Sequence, residues 1–127
     1  MMQGLDLRRL SRSFHHAFRG VIKLLTDQQN ARIHASMTIV VGILAYIFEV
    51  TRIEATVLFM AVIMVFAMEI MNTAIEMVCD LIDEEENSKV RVIKDGMAGA
   101  VLIASVIAVV VALLIFLPHI RSFFNRY

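Results

Sequence analysis

The feature that most constrains this chain is a long apolar run near its C-terminal end. Residues 96–117 contain no charged side chain. At a rise of about 1.5 Å per residue, a helix over this run crosses a hydrocarbon layer of about 30 Å. The whole chain is 59% hydrophobic, whereas a soluble domain is about half apolar. The sequence therefore predicts an integral-membrane protein with a single domain over residues 1–127.

The predicted fold class is all-α, with three transmembrane helices and one helix of a different kind. The spans are expected at residues 31–50, 54–82 and 94–117, and Pro118 and His119 are expected to close the third span. The short link at 49–54 favours an antiparallel helix hairpin. In the N-terminal segment, apolar side chains recur every three or four residues: Leu10, Phe14, Phe18, Val21 and Leu25. This spacing predicts an amphipathic helix over residues 5–26 that lies in the membrane interface.

The charge distribution predicts an orientation in the membrane and argues against one class of partner. Most Lys and Arg residues lie in the N-terminal segment and in the loop between the second and third spans. By the positive-inside rule, both regions face the cytoplasm. The formal net charge is +0, whereas nucleic-acid binders usually carry a basic excess, so no nucleic-acid partner is expected. The single Cys79 cannot form an intrachain disulfide, which argues against a disulfide-stapled scaffold.

The second predicted span carries charged side chains, which are costly inside a bilayer and therefore indicate function. Helical spacing places them on one face of about 100° together with an amide and a hydroxyl. We call this face the polar stripe; its members are Glu69, Asn72, Thr73, Glu76 and Asp80. A carboxylate near the interface can hold Mg²⁺, which prefers oxygen ligands, and a deeper carboxylate can accept a proton from an alcohol. The alternative is a stripe that only joins helices by hydrogen bonds.

A second charged pair, Lys94 and Asp95, stands at the start of the third span. A lysine can neutralise phosphate oxygens, and the neighbouring aspartate can support a metal or orient the lysine. Taken alone, the pair is more typical of an interfacial anchor whose charges reach out of the membrane. The sequence shows neither a Walker A loop nor a protein-kinase signature.

The polar stripe is part of a longer motif. The run from Glu69 to Asp80, with Asn72-Thr73-Ala74 and Glu76 at fixed spacing, resembles the signature of the prokaryotic diacylglycerol kinase family. Further similarity at residues 17–20, 30–34 and 94–95 extends the resemblance over nearly the whole chain. It implies a lipid kinase of the bacterial cytoplasmic (inner) membrane that forms a homotrimer with active sites shared between protomers. It also implies ATP as co-substrate, Mg²⁺ as cofactor and a membrane lipid alcohol as acceptor.

The resemblance also implies roles for individual residues. Glu69 is similar in position to the catalytic base of the family, and Glu76 to a Mg²⁺ ligand. The positions that contact nucleotide in the family are here Arg9, His16, Asn72, Glu85, Lys94 and Asp95, of which Asn72, Lys94 and Asp95 hold the ATP phosphates.

Two departures from the family pattern affect these roles. Gln28 stands where the family usually has a metal-binding Glu, so the second Mg²⁺ ligand is Gln28 itself or the adjacent Asp27, unless Glu76 carries most of the binding. Glu86 and Asn87 stand where the family often has a Tyr-His pair, which places the nucleotide contacts of that loop in doubt.

Two short segments bear on the lipid substrate. Members similar to undecaprenol kinases tend to carry Arg-Ile-His at the first span and Ser/Thr-Arg-Ile-Glu at the second, as this chain does at 32–34 and 51–54. The chain also lacks Trp, in which the diacylglycerol-phosphorylating members are rich. The resemblance therefore favours undecaprenol, with diacylglycerol as the alternative. An alternative from another class is a small proton-coupled transporter that uses Glu69 and Glu76 as a proton relay.

Overall fold

The computed structural model describes residues 6–82 and 87–125, except for the side chains of Leu24, Leu25 and Asp27. The described residues form four helices: α1 (Leu7–Asp27), α2 (Gln29–Ile47), α3 (Arg52–Ile82) and α4 (Ser88–Phe124). Of these, α2, α3 and α4 are each long and apolar enough to cross a membrane. The all-α class with three apolar helices of membrane-spanning length is thus confirmed.

Helix α1 is amphipathic and ends at a break in the backbone. Asp6 caps its first turn, because one carboxylate oxygen accepts the N–H groups of Arg8 and Arg9 at 3.0 and 3.2 Å. Phe14 and Phe18, on the apolar face, are exposed in the single chain. At Gln28 the backbone becomes extended, so α1 stops and α2 starts in a new direction.

Helix α4 is longer than the predicted third span at both ends. It begins at Ser88, where the Asn87 side chain accepts the N–H of Lys89 at 3.0 Å. It continues through Pro118 to Phe124, whereas Pro118 and His119 predict an end after residue 117. Proline has no N–H to donate to the preceding turn. The carbonyl left without its helical donor is that of Leu114, and His119 Nδ1 lies 2.9 Å from the neighbouring carbonyl oxygen, that of Ile115.

Helices α3 and α4 form an antiparallel pair that holds most of the core. Lys94 meets Asp80 at one end of the pair, and His119 meets Glu54 at the other. On α3, buried residues recur every three or four positions, at Leu58, Ala61, Val65, Glu69 and Asn72; those of α4 include Val101, Ala104 and Phe116. Small side chains on such a face let helix backbones approach closely. The buried face of α3 is therefore apolar in its first half and polar in its second.

The link between α2 and α3 ends in a capping box. The N–H of Thr51 donates to Glu54 Oε2 at 2.8 Å, and the N–H of Glu54 donates to Thr51 Oγ1 at 3.3 Å. This reciprocal pair satisfies donors that would be unpaired at the start of a helix. Glu54 Oε2 also lies 3.7 Å from His119 Nε2, so a residue of the first turn of α3 also contacts the last turns of α4.

Loss of the Thr51 hydroxyl is expected to destabilise the protein. Thr51→Ala should lower the free energy of unfolding by about 1 kcal/mol, because an N-cap acceptor is removed. The measurement is the thermal unfolding midpoint in detergent. Thr56→Ala is the matched control, since the Thr56 hydroxyl only returns to the Arg52 carbonyl inside α3. Equal shifts for the two variants would mean that the capping box does not stabilise the start of α3.

Candidate active site

The polar stripe becomes progressively more exposed along α3. Glu69, Thr73 and Asn72 are 2%, 3% and 6% exposed. Glu76 is half-buried, and Asp80, in the last turns of the helix, is exposed. Since charged groups are unfavourable in contact with lipid, the buried members lie on the packed face of α3. The stripe thus leads from the interior of the helix bundle to the end of α3.

Two oxygen atoms of the stripe are buried without a hydrogen-bond partner among the described residues: Glu69 Oε2 and Asn72 Oδ1. The other end of the Asn72 amide is engaged, because its Nδ2 donates to Glu76 Oε1 at 3.0 Å. Buried polar atoms in folded proteins nearly always have a partner. Two free acceptors one helical turn apart therefore indicate a place where bound ligands complete the hydrogen bonding.

Lys94 joins the stripe from α4. Its Nζ forms an ion pair with Asp80 Oδ1, and it also interacts electrostatically with Glu76. Asp95, which the sequence offered as a residue to orient this lysine, is exposed, and its side chain forms no hydrogen bond or ion pair with the described residues. Successive residues on a helix point about 100° apart. The structure therefore assigns the contact with Lys94 to Asp80, a residue outside the predicted nucleotide-binding set.

The remaining predicted site residues lie near the start of the chain or outside the description. Arg9 and His16 are exposed on α1, and Gln28 is half-buried at the junction of α1 and α2. No hydrogen bond or ion pair between described residues joins these three to the polar stripe. Glu85 and the Asp27 side chain lie outside the described residues. The chain thus brings together Glu69, Asn72, Glu76 and Lys94 but not the whole predicted set.

The oxygen atoms of the stripe suit a hard cation. In the part of the chain that the structure describes, no group of three His, Cys, Asp or Glu side chains could hold a metal. Mg²⁺ does not need such a cage, because it commonly binds one or two carboxylates and completes its shell with water and substrate phosphates. Glu76 supplies a half-buried carboxylate, and the free Oδ1 of Asn72 supplies a neutral oxygen one turn away. The residues present therefore fit a magnesium ion bound mainly through a nucleotide.

An apolar groove of about 290 Å³ lies between α2, α3 and α4. His34 lines it, as do Val65 and Phe66, which lie about one helical turn from Glu69. Two further polar residues of the lining, Thr38 and Ser105, donate their hydroxyls to carbonyls of their own helices. His34 interacts electrostatically with Glu69. The sequence signal for this residue is weak, because only its helical spacing from Met37 and Val41 places it on a common face.

Comparisons with known proteins found one family model and two curated relatives that match this chain. Residues 15–116 match the family model described as prokaryotic diacylglycerol kinase. The chain is 36% identical to an undecaprenol kinase of Bacillus subtilis (strain 168) over 115 residues. This alignment covers 91% of this chain and 94% of the relative. The chain is 34% identical over 111 residues to a diacylglycerol kinase of a Synechocystis species, covering 87% of this chain and 63% of the relative. No solved structure was found to match.

The chain therefore belongs to the prokaryotic diacylglycerol kinase family. It is a lipid kinase, a transferase of bacterial membranes, and this class of enzyme uses ATP as co-substrate. The family assignment favours a kinase over the proton-coupled transporter as the explanation of two carboxylates on one membrane helix.

The carboxylate oxygen Oε2 of Glu69 is buried without a hydrogen-bond partner among the described residues, so we expect it to lower the stability of the fold. Glu69→Met should raise the free energy of unfolding by about 1–3 kcal/mol, because an unsatisfied polar group leaves the core. The thermal unfolding midpoint in detergent measures this change. The matched control is Met71→Leu, on the exposed side of α3, which should leave the midpoint unchanged. A lower midpoint for Glu69→Met would show that the carboxylate has a stabilising partner.

Proposed function

We propose that this chain phosphorylates undecaprenol, forming undecaprenyl phosphate and ADP from the lipid and ATP. The observation that carries the proposal is the free, buried Oε2 of Glu69 at the inner end of a polar stripe that leads to Lys94. Similarity to the Bacillus undecaprenol kinase, over nearly the whole of both chains, supports the choice of lipid. Diacylglycerol is the alternative substrate, supported by the Synechocystis relative.

Glu69 is the proposed catalytic base. Its free Oε2 accepts the hydrogen bond of the lipid hydroxyl and then its proton, while the hydroxyl oxygen forms a bond to the γ-phosphorus of ATP. The bond between that phosphorus and the β–γ bridging oxygen breaks, and ADP leaves with the electron pair. Such a transfer depends mainly on positioning and on neutralising charge. Here the helix bundle supplies the positioning, because the base is held rigidly on a buried helix face.

The lipid reaches Glu69 from the membrane side. The groove between α2, α3 and α4 is apolar along most of its lining and ends about one turn from Glu69. A polyprenyl chain in this groove would bring its terminal hydroxyl towards the carboxylate without exposing the chain to water. His34, which interacts with Glu69 from the groove wall, lies where the apolar chain gives way to the polar head.

The nucleotide is proposed to bind at the exposed end of the stripe. Asn72, Lys94 and Asp95 hold its phosphates, while Arg9, His16 and Glu85 contact the rest of the nucleotide. Glu76, with Gln28 or Asp27, would hold Mg²⁺, and the hydrogen bond from Asn72 orients the Glu76 carboxylate. When bound, this ion would neutralise negative charge on the phosphate oxygens.

The exposed apolar surface of the helices supports a position in the bacterial cytoplasmic membrane, and the Lys and Arg distribution supports the proposed orientation. The three long helices cross the bilayer, α1 lies in the interface, and the N-terminus and the α3–α4 loop face the cytoplasm. Exposed Phe14 and Phe18 on α1 support the interfacial placement. Because three helices alone cannot enclose a nucleotide, a metal ion and a lipid, we propose a homotrimer in which protomers share active sites.

The test of this function is phosphate transfer from labelled ATP in mixed micelles. Undecaprenol and diacylglycerol are supplied in parallel, with and without Mg²⁺. We expect labelled undecaprenyl phosphate that depends on Mg²⁺, and little labelled phosphatidic acid. Labelling of diacylglycerol alone would replace the proposed lipid, and labelling of neither by folded protein would contradict the proposed function.

Replacing the proposed base by its amide should abolish turnover but spare binding. Glu69→Gln keeps the size of the side chain and removes the proton acceptor, so kcat should fall by about 10²–10⁴-fold. Nucleotide affinity and oligomeric state should remain those of the unmodified protein. Glu49→Gln, at the far end of the bundle, is the control and should retain full turnover. Near-normal turnover by Glu69→Gln would remove Glu69 from the role of base.

A further inference from the structure

The ion pair between Lys94 and Asp80 connects the second turn of α4 with the last turns of α3. Both side chains are accessible, with exposed fractions of 38% for Lys94 and 65% for Asp80. Ion pairs this exposed contribute little to stability, because water screens the two charges. The pair therefore adds little to the stability of the fold. Its main effect is to hold the Lys94 ammonium group in one position.

The pair leaves most of the ammonium group available to a ligand. A lysine ammonium has three N–H donors. Asp80 engages the ammonium through one carboxylate oxygen, and no second hydrogen-bond acceptor for Lys94 is present among the described residues. Two donors thus remain for oxygen atoms of an anion. An aspartate that blocked the lysine would cover the ammonium, whereas this one anchors it and leaves it accessible.

The anchor also fixes the position of the charge relative to the stripe. A free lysine side chain loses rotamer entropy when it binds a ligand. Asp80 holds the ammonium at the exposed end of the stripe, close enough to Glu76 for electrostatic interaction. Lys94 also supplies positive charge near the C-terminal end of α3, where a cation is favourable and where α3 has no basic residue in its own last turn.

We propose that Asp80 is a positioning residue for nucleotide binding, which holds the Lys94 ammonium at the end of the polar stripe so that its two remaining N–H groups bind ATP phosphate oxygens. The inference rests on the proposed function only in taking ATP phosphates as the anion. Asp80 acts through Lys94 and does not itself contact the reacting atoms.

The test is the ATP dependence of Asp80→Asn and Asp80→Glu, measured as KM, as kcat and as the affinity for a fluorescent ATP analogue in detergent. Asp80→Asn should raise KM for ATP and weaken analogue binding by about tenfold, equivalent to 1.4 kcal/mol. The kcat should stay within about twofold and the thermal midpoint should be unchanged, since the pair is exposed. Asp80→Glu, which keeps the charge, should recover most of the affinity.

A double-mutant cycle separates positioning from other effects. In a Lys94→Ala background, Asp80→Asn should weaken analogue binding no further, because the residue it acts through is gone. Unchanged or tighter binding by Asp80→Asn alone would overturn the inference, as would an equal loss in both backgrounds. Analogue binding is independent of lipid turnover. If the unmodified protein binds the analogue but transfers no phosphate to lipid, the proposed function fails while this inference is still tested.

Discussion

The arrangement of this protein depends on burying the polar face of one membrane helix. A carboxylate exposed to hydrocarbon is costly, so Glu69 and its polar neighbours must face other helices. That requirement fixes the rotation of α3 about its own axis. Because Leu58, Ala61 and Val65 continue the same face, the packing that joins α3 to the bundle also sets the direction of the candidate site. Fold and site are thus determined by one helix face.

The two ends of the α3–α4 pair are closed by polar contacts with different consequences. At one end Glu54 completes the capping box of α3 and lies near His119, so its carboxylate stabilises a helix start and a helix contact together. At the other end Asp80 and Lys94 form an accessible pair beside the half-buried Glu76. The first contact serves folding. The second contact lies at the exposed end of the polar stripe, which an anionic ligand in water would reach first.

Much of this could be predicted from sequence because it depends on contacts within single helices. Apolar length predicts the three long helices, and helical spacing alone places Glu69, Asn72 and Glu76 on one face. The continuation of α4 beyond Pro118 could not be predicted in this way, since proline either ends or kinks a helix and apolar spacing does not distinguish the two outcomes. The Asp80–Lys94 ion pair could not be predicted either, because it joins two helices. Contacts between helices depend on their relative rotation and offset, which spacing within one helix does not determine.

The increasing exposure along the stripe suits a reaction whose substrates come from different phases. From Glu69 to Glu76 the helix rises about 10 Å, and over this distance the side chains change from buried to half-buried. A lipid hydroxyl can meet a desolvated carboxylate at the inner end, while a nucleotide keeps much of its hydration at the outer end. Asn72 lies between them, with one amide atom bound to Glu76 and the other free. Its amide therefore lies between the proposed positions of the lipid hydroxyl and the nucleotide.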